Sequence, residues 1–170
     1  TNEDTAKAVT LSVSDSDSGD SHTYYATSSS TSVTPSISGT TLTLTPAANF
    51  NGNSTITIKA NDGTVYSIAK TFTLTVSAVN DAPVLASISN QSTLEDTAKG
   101  VTLSGSDIDD DSLTYSATSA ESEITISVSG TTLTMTPDDD WSGTSIITAK
   151  ANDGTVDSAA KTFTLTVSGS

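Results

Sequence analysis

Apolar and hydroxyl residues alternate along most of the chain. Val9, Leu11 and Val13 are separated by Thr10 and Ser12, and Leu42 and Leu44 are flanked by Thr41, Thr43 and Thr45. Ile56 and Ile58 alternate with Thr55, Thr57 and Lys59, and Phe72, Leu74 and Val76 with Thr71, Thr73 and Thr75. A period of two predicts strands with one face toward a core and a Thr-lined face toward water. Thr suits that outer face, because its β-branch favours an extended backbone without adding apolar surface. Turn signals separate the runs at Ser38-Gly39, Pro46, Asn51-Gly52 and Asp62-Gly63. No window of useful length carries a helical period.

The pattern occurs twice. Glu3-Asp4-Thr5-Ala6-Lys7 returns as Glu95-Asp96-Thr97-Ala98-Lys99, and Lys59 to Val65 returns as Lys150 to Val156. The offset is about 91 residues, with one extra residue near Gly19 in the first copy, and about two-thirds of the aligned positions are identical. About seven short strands in each copy of about 90 residues predict two tandem immunoglobulin-like β-sandwiches, an all-β chain. The expected division is 1–78, a linker 79–83, and 84–170. A Thr-rich solenoid would repeat at much shorter intervals. Asp81 to Ile88 lead into the second copy, whereas only Thr1 and Asn2 precede Glu3. The expectation is that the first copy lacks its opening strand and that the chain is a piece of a longer array.

Composition narrows the chemistry. Among 170 residues there are 20 acids and 6 bases, for a net charge of -14, and the bases are all Lys. Such a chain is unsuited to nucleic acid, whose phosphates need clusters of Lys and Arg, and is repelled by anionic membrane surfaces. No stretch approaches the ~20 apolar residues of a membrane span. Cys is absent and His22 is the sole imidazole, which excludes disulfides and Cys/His zinc sites and leaves little for acid–base catalysis. Ser and Thr number 30 and 33, a bias that would suggest disorder but for the strict apolar alternation.

The acids are clustered. Asp15, Asp17 and Asp20 follow the second strand expected of the first copy, and Asp62 opens the hairpin before its last strand. Asp107, Asp109, Asp110 and Asp111 pair in the same way with Asp153. In a sandwich these two loops share one end, so the carboxylates converge and need a cation between them. Hard oxygen donors, D-x-D spacing and no soft donor point to Ca²⁺. The linker Val79-Asn80-Asp81-Ala82-Pro83 enters the second copy at that end and brings the oxygens of Asn80 and Asp81.

These motifs resemble the cadherins. Asp15-Ser16-Asp17-Ser18-Gly19-Asp20 with Tyr24 looks like the DxDxG loop, Ala60-Asn61-Asp62-Gly63 like the AxDG turn, and Asn80-Asp81-Ala82-Pro83 like a shortened linker. Glu3 and Glu95 match the Glu after the first strand. The nearest style is that of bacterial cadherin-like repeats, which occur in long arrays in secreted and surface proteins, including adhesins. The resemblance implies a calcium site at the junction made by Glu3, Asn80, Asp81, Asp107, Asp109 and Asp153, with Asp111 as an extra ligand. It also implies that Asp15, Asp17 and Asp62 face a preceding repeat and Glu95 a following one. Ser77, Ala82 and Phe50-Asn51-Gly52-Asn53 stand where vertebrate cadherins carry further ligands, which implies one or two ions rather than three.

The function expected is a calcium-rigidified spacer in a bacterial extracellular adhesin or surface protein, secreted or on the cell surface, and not an enzyme. Its partners would be the neighbouring repeats of the chain. The alternative is a module that binds a glycan or a protein through residues that differ between the copies, such as Tyr25, Tyr66 or Asp138-Asp139-Asp140. A glycosidase reading of the paired carboxylates fails on their repetition and on the lack of an aromatic platform. His22 is replaced by Leu113, against a catalytic role.

Overall fold

The fold is described from a computed structural model, covering residues 1–16, 21–109 and 111–169. The chain divides into two compact units, Thr1–Val79 and Asn80–Ser170. In unit 1 the strands are β1 (Lys7–Thr10), β2 (Thr23–Ser28), β3 (Val33–Ser38), β4 (Thr41–Pro46), β5 (Gly52–Asn61) and β6 (Lys70–Val76). They form two antiparallel sheets in the orders β1-β4-β3 and β2-β5-β6. Each strand turns its aliphatic positions inward. Leu42, Leu44 and Ile56 are fully buried, with Val33, Leu74 and Val76 around them.

Unit 2 repeats this frame and adds to it. Its strands are β7 (Val84–Leu85), β8 (Gln91–Leu94), β9 (Lys99–Thr102), β10 (Gly105–Ser106), β11 (Thr114–Ser119), β12 (Ile124–Ser129), β13 (Thr132–Pro137), β14 (Gly143–Asn152) and β15 (Lys161–Ser168). The sheets run β12-β13-β9 and β11-β14-β15-β8, with a short β10-β7 ladder. β8 pairs parallel to β15; the other ladders of unit 2 are antiparallel. Leu85, Leu103, Leu133, Met135, Ile147 and Leu165 form the floor of the core, and Trp141 packs against it.

Two polar details recur in both cores. Ser28 and Ser54 share a hydrogen bond of 2.7 Å between hydroxyls, as do Ser119 and Ser145. Ser54 and Ser145 are buried, so each hydroxyl satisfies the other where water does not reach. A second pairing sets glycine against an aromatic ring. A Cβ at Gly143 would stand 2.9 Å from the Trp141 ring, and Gly52, at φ +136, lies under Phe50 in the same way. Trp141 and Phe50 are thus packing residues.

Val13 departs from the alternation. It was expected on the inner face with Val9 and Leu11, but β1 ends at Thr10 and Val13 is 38% exposed. Unit 2 has Gly105 at that place, and β7 lies against it.

Candidate metal centre

In unit 2 the incoming chain and two loops meet at one pole. β10 ends at Ser106, which puts Asp107 and Asp109 in the loop that follows. Within that loop the Asp109 N–H donates to Asp107 Oδ1 at 2.8 Å. The Asp81 N–H donates to Asp109 Oδ2 at 2.8 Å. The Asn80 side-chain amide donates to Asp153 Oδ2 at 2.9 Å and to the Asp81 carbonyl at 2.9 Å. The segment 80–81 is therefore tied to both acidic loops.

Asp153 has a second duty. Its Oδ1 accepts the Thr155 and Val156 N–H groups at 2.6 and 2.7 Å, which closes the turn between β14 and β15. The Asn80 amide, followed by these N–H groups, holds its carboxyl below the usual carboxylate range. Asp107 is different. Its Oδ2 is buried and has no hydrogen-bond partner among the described residues. A carboxylate oxygen taken out of water without a donor is costly, and a cation satisfies it where a neutral donor is lacking. Asp111 lines the adjoining hollow of about 420 Å³ with Asp107, Ser106 and Tyr115.

Unit 1 carries the same acids in a different state. Asp15 faces His22 at 3.2 Å, and both line a hollow of about 310 Å³ with Asp62 and Tyr66. Asp62 Oδ1 accepts the Thr64 and Val65 N–H groups at 2.7 and 2.8 Å. These bonds, that of Val65 first, lower its pKa against the opposing effects of burial and Asp15. Asp17 lies outside the described residues, as do Asp20 and Asp110.

Glu3 sits at the other end of unit 1. Its backbone N–H donates to the Ser77 carbonyl at 2.9 Å, and its carboxylate accepts the Val79 N–H. It is 4% exposed. Asp4 beside it takes a left-handed backbone, φ 56, and anchors the turn by accepting the Asn49 N–H at 3.0 Å. Val79 is the last residue of unit 1. Asp96 repeats the device with φ 58 and an Asp140 N–H at 3.1 Å, and the Glu95 N–H donates to the Ser168 carbonyl.

Sequence reasoning placed the acids in these loops but missed two partners. The Asn80 amide engages Asp153 as a donor, and His22 pairs with Asp15. The latter was legible only as a contrast, His22 against Leu113 at an otherwise repeated position.

The carboxylates at the pole of unit 2 offer oxygens alone, the set that suits a hard divalent cation. Residues 80–166, a little over half of the chain, match the family model for the bacterial Ig domain, and residues 1–77 match the cadherin-like domain. No curated protein matches the chain in sequence. Among solved structures, the human protocadherin-24 EC1-2 fragment is 16% identical with a TM-score of 0.58, over 95% of this chain and 88% of that one. Human mucin-like protocadherin EC1-2 is 22% identical with a TM-score of 0.48, over 86% and 85%. Domains 4–9 of the surface layer protein SbsC give 19% and 0.42, over 86% and 22%. At these identities the protocadherin-24 likeness shows the fold alone. Domains of the matched families are typical of extracellular and surface proteins and are typically not enzymes. Among the described residues no helix is long and apolar enough to cross a membrane. With its second repeat matching one model and its first repeat the other, the chain belongs to the bacterial Ig domain family as a tandem of Ig-like and cadherin-like β-sandwiches.

Proposed function

We propose that the chain is a pair of spacer repeats of a bacterial extracellular adhesin or surface protein, and that Ca²⁺ stiffens the linker between them. The observation that carries this reading is the Oδ2 of Asp107, buried beside Asp109 with no hydrogen-bond partner among the described residues. Asn80, Asp81, Asp107, Asp109 and Asp153 would hold the ion from unit 2, with Asp111 adjacent. Glu3, which already holds the peptide before Asn80, would contribute from unit 1. Asp15, Asp17 and Asp62 would play the corresponding part toward a repeat ahead of this one.

The ion supplies charge neutralisation. Without it, carboxylates drawn to one pole repel each other, which weakens the hold on residues 79–81 and lets the linker 79–83 hinge more often. The expected affinity is on the order of 0.1–1 mM, the range of extracellular calcium modules. Small-angle scattering of the chain in calcium and in EDTA tests the reading. Calcium should narrow the distribution of interdomain distances, and an identical scattering profile in both buffers would refute it.

A glycan- or protein-binding role has one observation in its favour. Tyr25 and Tyr66 meet edge to face with centroids 5.3 Å apart, and each is at least half exposed. Ser116 and Asp157 replace them in the second repeat, so the pair belongs to unit 1 alone. Loss of ligand capture on Tyr66→Ala would support this role; a glycan array that stays blank for the unmodified chain would not.

A further inference from the structure

The outer face of the sheet β2-β5-β6 differs in chemistry from its counterpart in unit 2. Tyr25 on β2 stands directly opposite Lys59 on β5, and both are exposed. Two residues along β5, Asn61 bridges Tyr66. Side chains directly opposite in an antiparallel pair lie about 5 Å apart at Cβ. Tyr25 and Tyr66 lean toward each other across β5, with ring centroids 5.3 Å apart and planes at 64°, and about half of each is exposed. A side-chain hydrogen bond with Tyr25, and then its charge, raise the Tyr66 pKa above the ordinary phenol value, so this ring stays uncharged beside the ammonium.

Unit 2 has a carboxylate at this place. Lys150 Nζ donates to Asp157 Oδ2 at 3.2 Å, and the Asn152 amide donates to Asp157 Oδ1 at 2.8 Å. In unit 1 Tyr66 stands where Asp157 does, and the Asn61 amide turns to the Val65 carbonyl at 2.9 Å. Among the described residues no carboxylate pairs with Lys59. The face is open in unit 2 as well, where β7 and β8 complete the sandwich: Lys150 and Asp157 are 45% and 50% exposed. Unit 1 has thus exchanged a carboxylate for an aromatic ring beside a retained Lys.

Resting on the glycan-binding role of the Tyr25–Tyr66 pair, we infer that Tyr25, Lys59 and Tyr66 bind a hexuronate residue of a glycan. The ligand carboxylate takes the place on Lys59 that Asp157 takes on Lys150, and the C–H face of the sugar ring packs on the tyrosines. A hexuronate carries its carboxylate on the pyranose ring itself, so the charge and the apolar plate are fixed side by side. An acidic peptide carries its carboxylate on a flexible stem with no such plate, and ordering that stem costs entropy. The net charge of -14 repels a long polyanion, so the site suits one uronate within an otherwise neutral glycan.

The test titrates the whole 170-residue chain, labelled with nitrogen-15 and kept in EDTA, with methyl hexuronosides of gluco, galacto and manno configuration. The matching methyl hexosides, which differ only in bearing a hydroxymethyl for the carboxylate, are the comparison. At least one uronoside should give saturable amide shifts at residues 24–26, 58–60 and 65–67, and its hexoside should bind roughly fivefold more weakly. Lys59→Gln should reduce the uronoside to the level of the hexoside. Tyr66→Asp should weaken both roughly tenfold or more, and Lys150→Gln should change neither. Equal binding of uronoside and hexoside, or indifference to Lys59→Gln, would overturn the uronate assignment and leave the tyrosine pair as a glycan site. No shift with any sugar at millimolar concentration would overturn both. A Gly-Glu-Gly peptide that binds as well as the uronoside would also overturn the proposal, since a carboxylate alone would then suffice.

Discussion

The acidic poles of the two units carry equivalent residues in unequal surroundings. Asp62 and Asp153 make the same turn, each accepting two backbone N–H groups. Asp153 also receives the Asn80 amide, and Asp109 receives the Asp81 N–H, whereas in unit 1 Asp15 faces His22. The carboxylates alone therefore do not define the pole. The chain segment that enters it is bonded to Asp153 and Asp109, and Asp107 Oδ2 is buried there with no hydrogen-bond partner among the described residues. The same incoming stretch serves both the pole and the sheet of unit 2: residues 80–81 engage the acids, and Val84 and Leu85 pair with Ser106 and Gly105.

The contrast can be broken most severely at Leu85. Leu85→Ala removes a fully buried side chain and should destabilise unit 2 by about 2–5 kcal/mol. Trp141, the only Trp in the chain and packed on the core of unit 2, provides a fluorescence signal specific to that unit. Denaturant unfolding followed at Trp141 should show the loss, and a midpoint unchanged from the parent would mean that β7 adds little to the fold.

Calcium comes next. At free calcium 100-fold above Kd, binding to the folded state alone adds about 2.7 kcal/mol to the transition seen by Trp141. Asp109→Ala should abolish most of this increment. Asp62→Ala should leave it intact, because Asp62 belongs to the pole of unit 1. Equal losses from the two variants would show that the metal does not distinguish the poles.

The smallest effect is in the titration of the turn acids. Folded-state pKa values lowered below the ordinary value add stability that is present above that value and lost as pH falls through the folded pKa. For Asp62 and Asp153 the loss is thus confined to acid, below about pH 4. Asn80→Ala should raise the pKa of Asp153 and leave that of Asp62 unmoved, as read by carboxyl-carbon NMR. A shift of both would mean that the Asn80 amide is not the cause.

Much of the sandwich was legible because its inner positions are aliphatic and its outer positions are Thr. β4, β6, β13 and β15 follow the alternation residue by residue. The buried Ser54 and Ser145 were not legible, since in a chain with 30 Ser a single inward hydroxyl looks like its outward neighbours. Val13 was misjudged because alternation reports what a residue could bury, not whether another strand arrives to cover it. The loops of the acidic poles could be located from D-x-D spacing. The inward position of Glu3 could not, since it follows from the left-handed turn at Asp4 and the grip on Val79, and rested on the cadherin resemblance.

The identity of β6 and β15 bears on how the chain finds its fold. Both read Lys-Thr-Phe-Thr-Leu-Thr-Val, and β5 and β14 offer them the same partners, Ser54 or Ser145 opposite Leu and Ile56 or Ile147 opposite Phe. Side chains therefore discriminate poorly between the correct hairpin and a swapped one. Connectivity discriminates instead. The loop from β5 to β6 is residues 62–69, eight in all, whereas joining β5 to β15 would close residues 62–160, ninety-nine in all. The difference in closure entropy favours the local hairpin by about 2 kcal/mol. That is a preference of roughly thirtyfold, set by chain length where sequence is silent.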